Sequence, residues 1–226
     1  MAYKGRVGIL GNYEGNPFVG FILASKSDAD RYLLVDEEKN TVWTAPGKKL
    51  KQEINERPYE AVDNLYACLV GFHDKNDNPV AVSFNGRMSK RVKGMVNAGE
   101  SIESSLRQIL SVFVPDPRDP RIGAIASFNG AEKVFNFGVY DRTERPYLEV
   151  QQVDVNQNQA AYRTLTECKK IKTLALKKAD TLDELSKQLF DEILGIPAES
   201  GCGAAVCMID GNEFRFGAYN QHNQQI

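Results

Sequence analysis

The chain of 226 residues holds only two histidines, His73 and His222, and four scattered cysteines, Cys68, Cys168, Cys202 and Cys207. No Cys-x-x-Cys pair occurs, and neither histidine has a Cys, His or acidic partner at metal-ligand spacing. No metal site is therefore expected, and the thiols read as reduced, with Cys68 and Cys207 in apolar strand patterns. A Ser-His-Asp triad is equally disfavoured, because His73 falls in a polar turn, His222 in the tail, and no Gly-x-Ser-x-Gly exists. The loop from Asp74 has Asp74, Asn76 and Asn78 at calcium-loop spacing but carries Pro79 where Gly is needed and Asn85 where Glu is needed. Gly47-Lys48-Lys49 lacks the rest of a P-loop, and Gly8, Gly11 and Gly15 do not fit a dinucleotide fingerprint. No run of 18 apolar residues is present, and no basic n-region precedes an apolar stretch. The expectation is a cytoplasmic protein with neither membrane span nor signal peptide. Charge of one sign is also missing: the net value is −2, which gives no global field toward nucleic acid. Acid–base work falls to Tyr, Glu, Asp, Lys or water.

Strand patterns fill the first third: Val7-Gly8-Ile9-Leu10, Phe18 to Ala24, Tyr32-Leu33-Leu34-Val35 and Thr41-Val42-Trp43-Thr44. A further pair is predicted at Leu65 to Phe72 and Val80 to Phe84. Met88, Val92, Met95 and Val96 form one helical stripe that ends at Asn97 and Gly99. Ile102, Leu106, Ile109, Leu110 and Phe113 repeat it behind a Ser101 cap, with Pro115 as the stop. Glu100, just ahead of that cap, suits the helix dipole. Strands return at Ile122 to Phe128 and Lys133 to Tyr140, joined at Asn129-Gly130, a type I′ hairpin signal. Tyr147 to Val153 adds another. Thr181-x-x-Glu184 is a capping box opening a helix with Leu182, Leu185, Leu189, Phe190 and Ile193 on one face. A hairpin, Ala204 to Ile209 and Glu213 to Ala218, follows.

Hairpin-linked strands with segregated helices predict an α+β fold, two antiparallel sheets face to face with helices outside. No linker or repeat forces a second unit, so one domain over 1–226 is expected.

The remaining polar residues cluster at strand ends and turns. Gly5-Arg6, Gly11-Asn12, Ser25-Lys26-Ser27-x-x-x-Arg31, Arg57-Pro58-Tyr59-Glu60-Ala61, Val82-Ser83-Phe84-Asn85-Gly86, Pro120-Arg121-Ile122 and Phe128-Asn129-Gly130 follow in order. This ordered set resembles the archaeal-type IMP cyclohydrolase family over roughly the first 140 residues. The resemblance implies a four-layer αββα sandwich like that of the N-terminal nucleophile hydrolases. Their nucleophile is missing, since Met1 is followed by Ala2. It also implies a homo-oligomer that needs no cofactor, acts on a purine ribonucleotide, and has neither nucleic acid nor membrane as partner. The implied reaction closes 5-formamidoimidazole-4-carboxamide ribonucleotide to IMP with loss of water, the last step of purine biosynthesis.

On that resemblance Arg31, with Ser25 and Lys26, is the candidate phosphate site; a solvated loop is the other reading. Arg121 is a candidate for phosphate or for the formyl oxygen, or else a partner of Asp116 or Asp119. Tyr59, fixed by Pro58, is a candidate proton donor or a half-buried aromatic. Asn85 and Gly86 open a helix start suited to an anion, and Arg87 belongs to a solvated basic face with Lys90, Arg91 and Lys93 or else reaches phosphate. Asn12 and Asn64 are candidate base contacts. Asn129 is a ligand contact or simply turn chemistry. Lys26 and Asp30 stand where the family pattern has Arg and Asn. That departure keeps open a nucleotide-binding protein without turnover. An amide hydrolase activated by internal cleavage before Cys68 or Cys202 is the third class.

Overall fold

Runs such as Val7 to Leu10 and Phe18 to Ala24 are apolar at successive rather than alternate positions, the mark of strands covered on both faces. The computed structural model describes residues 6–24, 31–45, 66–84, 88–111, 121–141, 147–195 and 201–221. Its strands are β1 (Val7–Tyr13), β2 (Asn16–Ala24), β3 (Tyr32–Asp36), β4 (Thr41–Ala45), β5 (Ala67–His73) and β6 (Pro79–Phe84). After two helices, α1 (Ser89–Asn97) and α2 (Ile102–Ser111), come β7 (Arg121–Phe128), β8 (Lys133–Asp141) and β9 (Tyr147–Gln152). Then follow β10 (Gln159–Thr164), β11 (Lys172–Ala175), α3 (Leu182–Leu194), β12 (Gly201–Asp210) and β13 (Glu213–Asn220).

The strands form two antiparallel sheets. One has the order β11-β10-β1-β2-β12-β13 and the other β3-β4-β5-β6-β7-β8-β9. They lie face to face around Leu10, Phe21, Leu69, Ile122, Phe137 and Val139. The outer face of the first sheet is covered by α3 through Leu185, Leu189, Phe190 and Ile193. The outer face of the second carries α1 and α2 through Val92, Val96, Leu106 and Leu110. The result is the αββα sandwich expected. The sheets approach closely at Gly8, where a Cβ would lie 2.8 Å from Ile122 Cγ2.

Local signals account for the helix ends. Thr181 and Glu184 complete the capping box of α3. Ser101 Oγ accepts from the Ser104 N–H at 3.1 Å at the start of α2. Gly99, at φ 96°, donates to Val96 while Glu100 donates to Met95, a Schellman stop for α1. Two expectations need correction. Strands β10 and β11 were not foreseen, because Gln159–Thr164 and Lys172–Ala175 are short and mix polar with small apolar residues. The Asn129-Gly130 turn is not type I′: only Gly130 has positive φ, and the loop spans four residues closed by Asn129 N–H to Glu132 O at 3.2 Å. Phe113 lies outside the described residues.

Candidate functional site

Strand direction sorts the sandwich into two ends. Asn220 of β13 bonds Leu33 of β3 in both directions, at 2.7 and 3.0 Å, and the Arg6 guanidinium lies 5.5 Å over the Tyr66 ring. These contacts place the start of β1, β3 and β5 and the end of β2, β6, β8 and β13 at one end, here called the mouth. At the far end the β12–β13 turn meets the end of β5, where His73 Nε2 is 2.9 Å from Asn212 O.

Alternation along each strand then decides what faces the space between the sheets. On β1, Gly8 and Leu10 face inward, so Arg6 does as well, at the mouth. Tyr66 beneath it packs edge-on to Phe21, with centroids 6.4 Å apart, and its backbone N–H bonds the Thr44 hydroxyl at 3.2 Å. Arg31 precedes β3 on the side of inward-facing Leu33 and is only 4% exposed. On β10, Ala161 faces inward and so does Arg163, which bonds Glu149 of β9 across the sandwich at 2.7 Å. Among the described residues, three arginines thus face the inter-sheet space at the mouth. A row of cations between sheets roughly 10 Å apart suits a small anionic ligand.

The mouth also carries a backbone irregularity. Val42 pairs with Leu69 and Trp43 with Ala67, so Cys68 is the extra residue of a bulge in β5. Its thiol donates to Val42 O at 3.3 Å, and burial pushes it well up from its usual range. Nearby, Asp141 of β8 lies 3.7 Å from the Cys168 thiol and 3.6 Å from Lys169 Nζ. Burial, with Asp141 adding to it, pushes Cys168 up to about 11. Neither thiol is a ready nucleophile.

The topology joins some sequence-predicted residues and separates others. Arg31 is at the mouth. Arg121 is at the same end, but on β7 Ile122, Ala124 and Ala126 point inward, so Arg121 turns toward the helices with Ile125. There its Nη1 donates to Ile109 O at 3.3 Å, and burial lowers its pKa, opposed by Tyr140 and assisted by Arg91. Asn12 faces inward but at the far end, donating to Val155 O at 3.4 Å. Asn129 is in the far-end turn, where its Oδ1 accepts from the Ala131 and Glu132 N–H groups at 3.2 and 2.7 Å. Asn12 and Asn129 thus lie at the opposite end of the sandwich from Arg31. Ser25, Lys26, Tyr59, Asn64, Asn85, Gly86 and Arg87 lie outside the described residues. The residues flanking their stretches, Ala24 and Arg31, Ala45 and Tyr66, Phe84 and Met88, are described, and the strand ends among them are at the mouth.

Tyr66, Glu149 and Arg163 were not singled out from the sequence. The signal for Arg163 was a charge in register with inward-facing Ala161, visible only once β10 is known to be a strand. Two surface depressions lie elsewhere. One of about 510 Å³ borders α3 at Lys177, Lys187, Asp191 and Glu192, and one of about 430 Å³ runs between Glu37, Asp183 and Phe214. The charges of the first are paired, Lys177 with Glu192 and Lys187 with Asp191. No helix among the described residues is long and apolar enough to cross a membrane.

Three comparisons bear on this arrangement. The model of a family described as IMP cyclohydrolase-like protein matches residues 3–213. Among solved structures, Anbu (ancestral beta-subunit) from Yersinia bercovieri is similar at 9% identity and a TM-score of 0.39, covering 97% of this chain and 88% of that one. A search of curated proteins finds no match.

Proposed function

Because the chain belongs to the IMP cyclohydrolase-like family, we propose that it closes 5-formamidoimidazole-4-carboxamide ribonucleotide to IMP with release of water. The observation that carries this reading is the pair of inward-facing arginines, Arg6 and Arg31, at the mouth of the sandwich. Such a cleft suits a ligand with one phosphate and a flat, mostly neutral heterocycle. On this reading Arg31, with Ser25 and Lys26, is the phosphate site, Tyr66 offers an aromatic surface to the base, and Tyr59, Asn64, Asn85, Gly86 and Arg87 are the further residues to test as ligand contacts.

The chemistry is bond-making inside one molecule. The carboxamide nitrogen attacks the formyl carbon, a C–N bond forms, and the formyl π pair moves onto oxygen. One carboxamide proton and then the formamide N–H proton end on that oxygen, which leaves as water as the ring C=N bond forms. Holding the two groups in contact distance supplies several kcal/mol. A donor to the oxyanion, for which Tyr59 is the candidate, adds about 3–4 kcal/mol. Proton transfer by a placed side chain adds roughly 10²–10⁴-fold.

The test is an ultraviolet ring-closure assay beside calorimetry with IMP. Turnover with saturable IMP binding supports the reading. Binding without turnover favours the second reading, a nucleotide-binding protein, which the Lys26 and Asp30 departures motivate. Absence of both removes the nucleotide from the argument.

A further inference from the structure

The β8–β9–β10 side of the mouth holds a polar network that the reaction above leaves unused. Arg163 is 1% exposed, and its Nη2 donates to Glu149 Oε2 at 2.7 Å and to Gln151 Oε1 at 3.2 Å. Its Nη1 donates to Cys168 O at 2.9 Å, and its guanidinium lies 5.6 Å over the Phe137 ring. The Nε, equally buried, has no hydrogen-bond partner among the described residues. Enclosing a guanidinium this fully is costly, and a packed apolar pair often serves stability as well or better. Stability alone therefore does not account for the pair.

What the pair does is hold a carboxylate in place. One oxygen of Glu149 is fixed by Arg163, yet the side chain stays 33% exposed. Tyr147 bonds the same carboxylate and is pushed up from its usual range, by burial first and then by Glu149. A phenol so perturbed stays a donor. The other inward carboxylate here, Asp141, is 7% exposed and engaged by Lys169 and Cys168. Position adds to the case. Arg163 pairs with Gly8, and Leu165 N–H bonds Arg6 O at 3.2 Å, so Arg6 and Arg163 are diagonal neighbours on β1 and β10. Diagonal positions on one sheet face lie roughly 7–8 Å apart. The Arg163–Glu149 pair thus borders the Arg6 position.

We propose that Glu149 accepts the carboxamide proton during ring closure and that Arg163 is the residue that positions it; this rests on the reading above. The proton taken by Glu149 as the C–N bond forms returns to the oxygen that departs as water, so the carboxylate is regenerated. The proton first given to the formyl oxygen is replaced from the formamide N–H.

The experiment measures turnover and IMP affinity for wild type, Glu149→Gln, Glu149→Asp and Arg163→Lys. Gln keeps an oxygen for Arg163 and the packing, so folding and IMP affinity within threefold are expected, with turnover reduced on the order of 10²-fold. Asp restores part of the rate, and Arg163→Lys lowers kcat with KM little changed. Glu149→Gln with wild-type turnover overturns the assignment, as does equal loss of affinity and turnover in Gln and Asp alike. Should Gln fail to fold, the same comparison is read from Asp: wild-type kcat there, or loss of affinity equal to loss of rate, overturns it. A wild-type protein that binds IMP without turnover fails at the earlier step, and the proton acceptor fails with it.

Discussion

The two ends of the sandwich spend their polar side chains differently. At the far end, the turn residues Asp74 and Asn129 bond the backbone of their own turns, while His73 and Asn12 reach the backbone at Asn212 and Val155. Asp74 accepts from Asn76 and Asn78 N–H groups at 2.8 and 2.9 Å, and Asn129 caps its hairpin. Positive φ at Glu14, Asn40, Asp77, Gly130, Asn158 and Gly211 marks the tight connections there. At the mouth, polar groups reach across the sheets: Arg163 to Glu149, Asn220 to Leu33, Arg6 to Tyr66. Turn residues that satisfy themselves ask nothing of a ligand. Inward cations held between two sheets do, and the contrast separates structural polarity from a candidate site better than residue type does.

The contrast breaks most sharply at Arg163. Arg163→Met should lower unfolding free energy in urea by about 2–4 kcal/mol, below the full figure for a buried pair because Glu149 is partly exposed. A change under about 1 kcal/mol would mean the inter-sheet pair is idle. Next, Arg31→Ala should weaken IMP binding at least tenfold, a loss of about 1.5–3 kcal/mol for a charge-assisted contact, read by calorimetry. Arg121→Ala sharpens the comparison within the same end. Facing the helices, it should cost about 1–2 kcal/mol of stability while IMP affinity stays within threefold; a tenfold loss of affinity would place Arg121 back in the pocket.

The smallest effects belong to the far end. Asp74 is held below its usual 3.8: partial burial works against this, but the bonds from Asn78 and Asn76 and the Lys75 charge outweigh it. An acid lowered on folding stabilises the fold above its unfolded pKa and loses that contribution as pH falls through its folded pKa. Wild type should therefore exceed Asp74→Asn by about 0.5–1.5 kcal/mol at pH 7, and the difference should vanish by about pH 2. Asn129→Ala should cost about 1 kcal/mol or less, with ring-closure rate unchanged, since its side chain serves only the turn.

Most of the fold is legible in the sequence. Apolar runs marked β1, β2 and β12, stripes at helical spacing marked α1, α2 and α3, and the Thr181–Glu184 box fixed where α3 starts. These are local properties, set by side chains within a few residues of one another, so the chain itself determines them. The site was legible only in part. Arg6 and Asn12 share one face of β1 by alternation, and nothing in their neighbourhood says that seven residues of strand put them at opposite ends of the molecule's interior. Arg121 and Arg163 each sit at a strand end beside apolar residues, yet one turns to the helices and the other to the opposing sheet. Period-two alternation says which residues share a face. It does not say what covers that face, because the cover comes from other elements: the helix carrying Ile109 for Arg121 and the strand carrying Glu149 for Arg163. Sheet pairing and register chose the partners: β10 beside β1, β9 across from β10, and Glu149 against Arg163. That choice gives the buried Arg163 a carboxylate from the opposing sheet, a condition no single segment can meet alone.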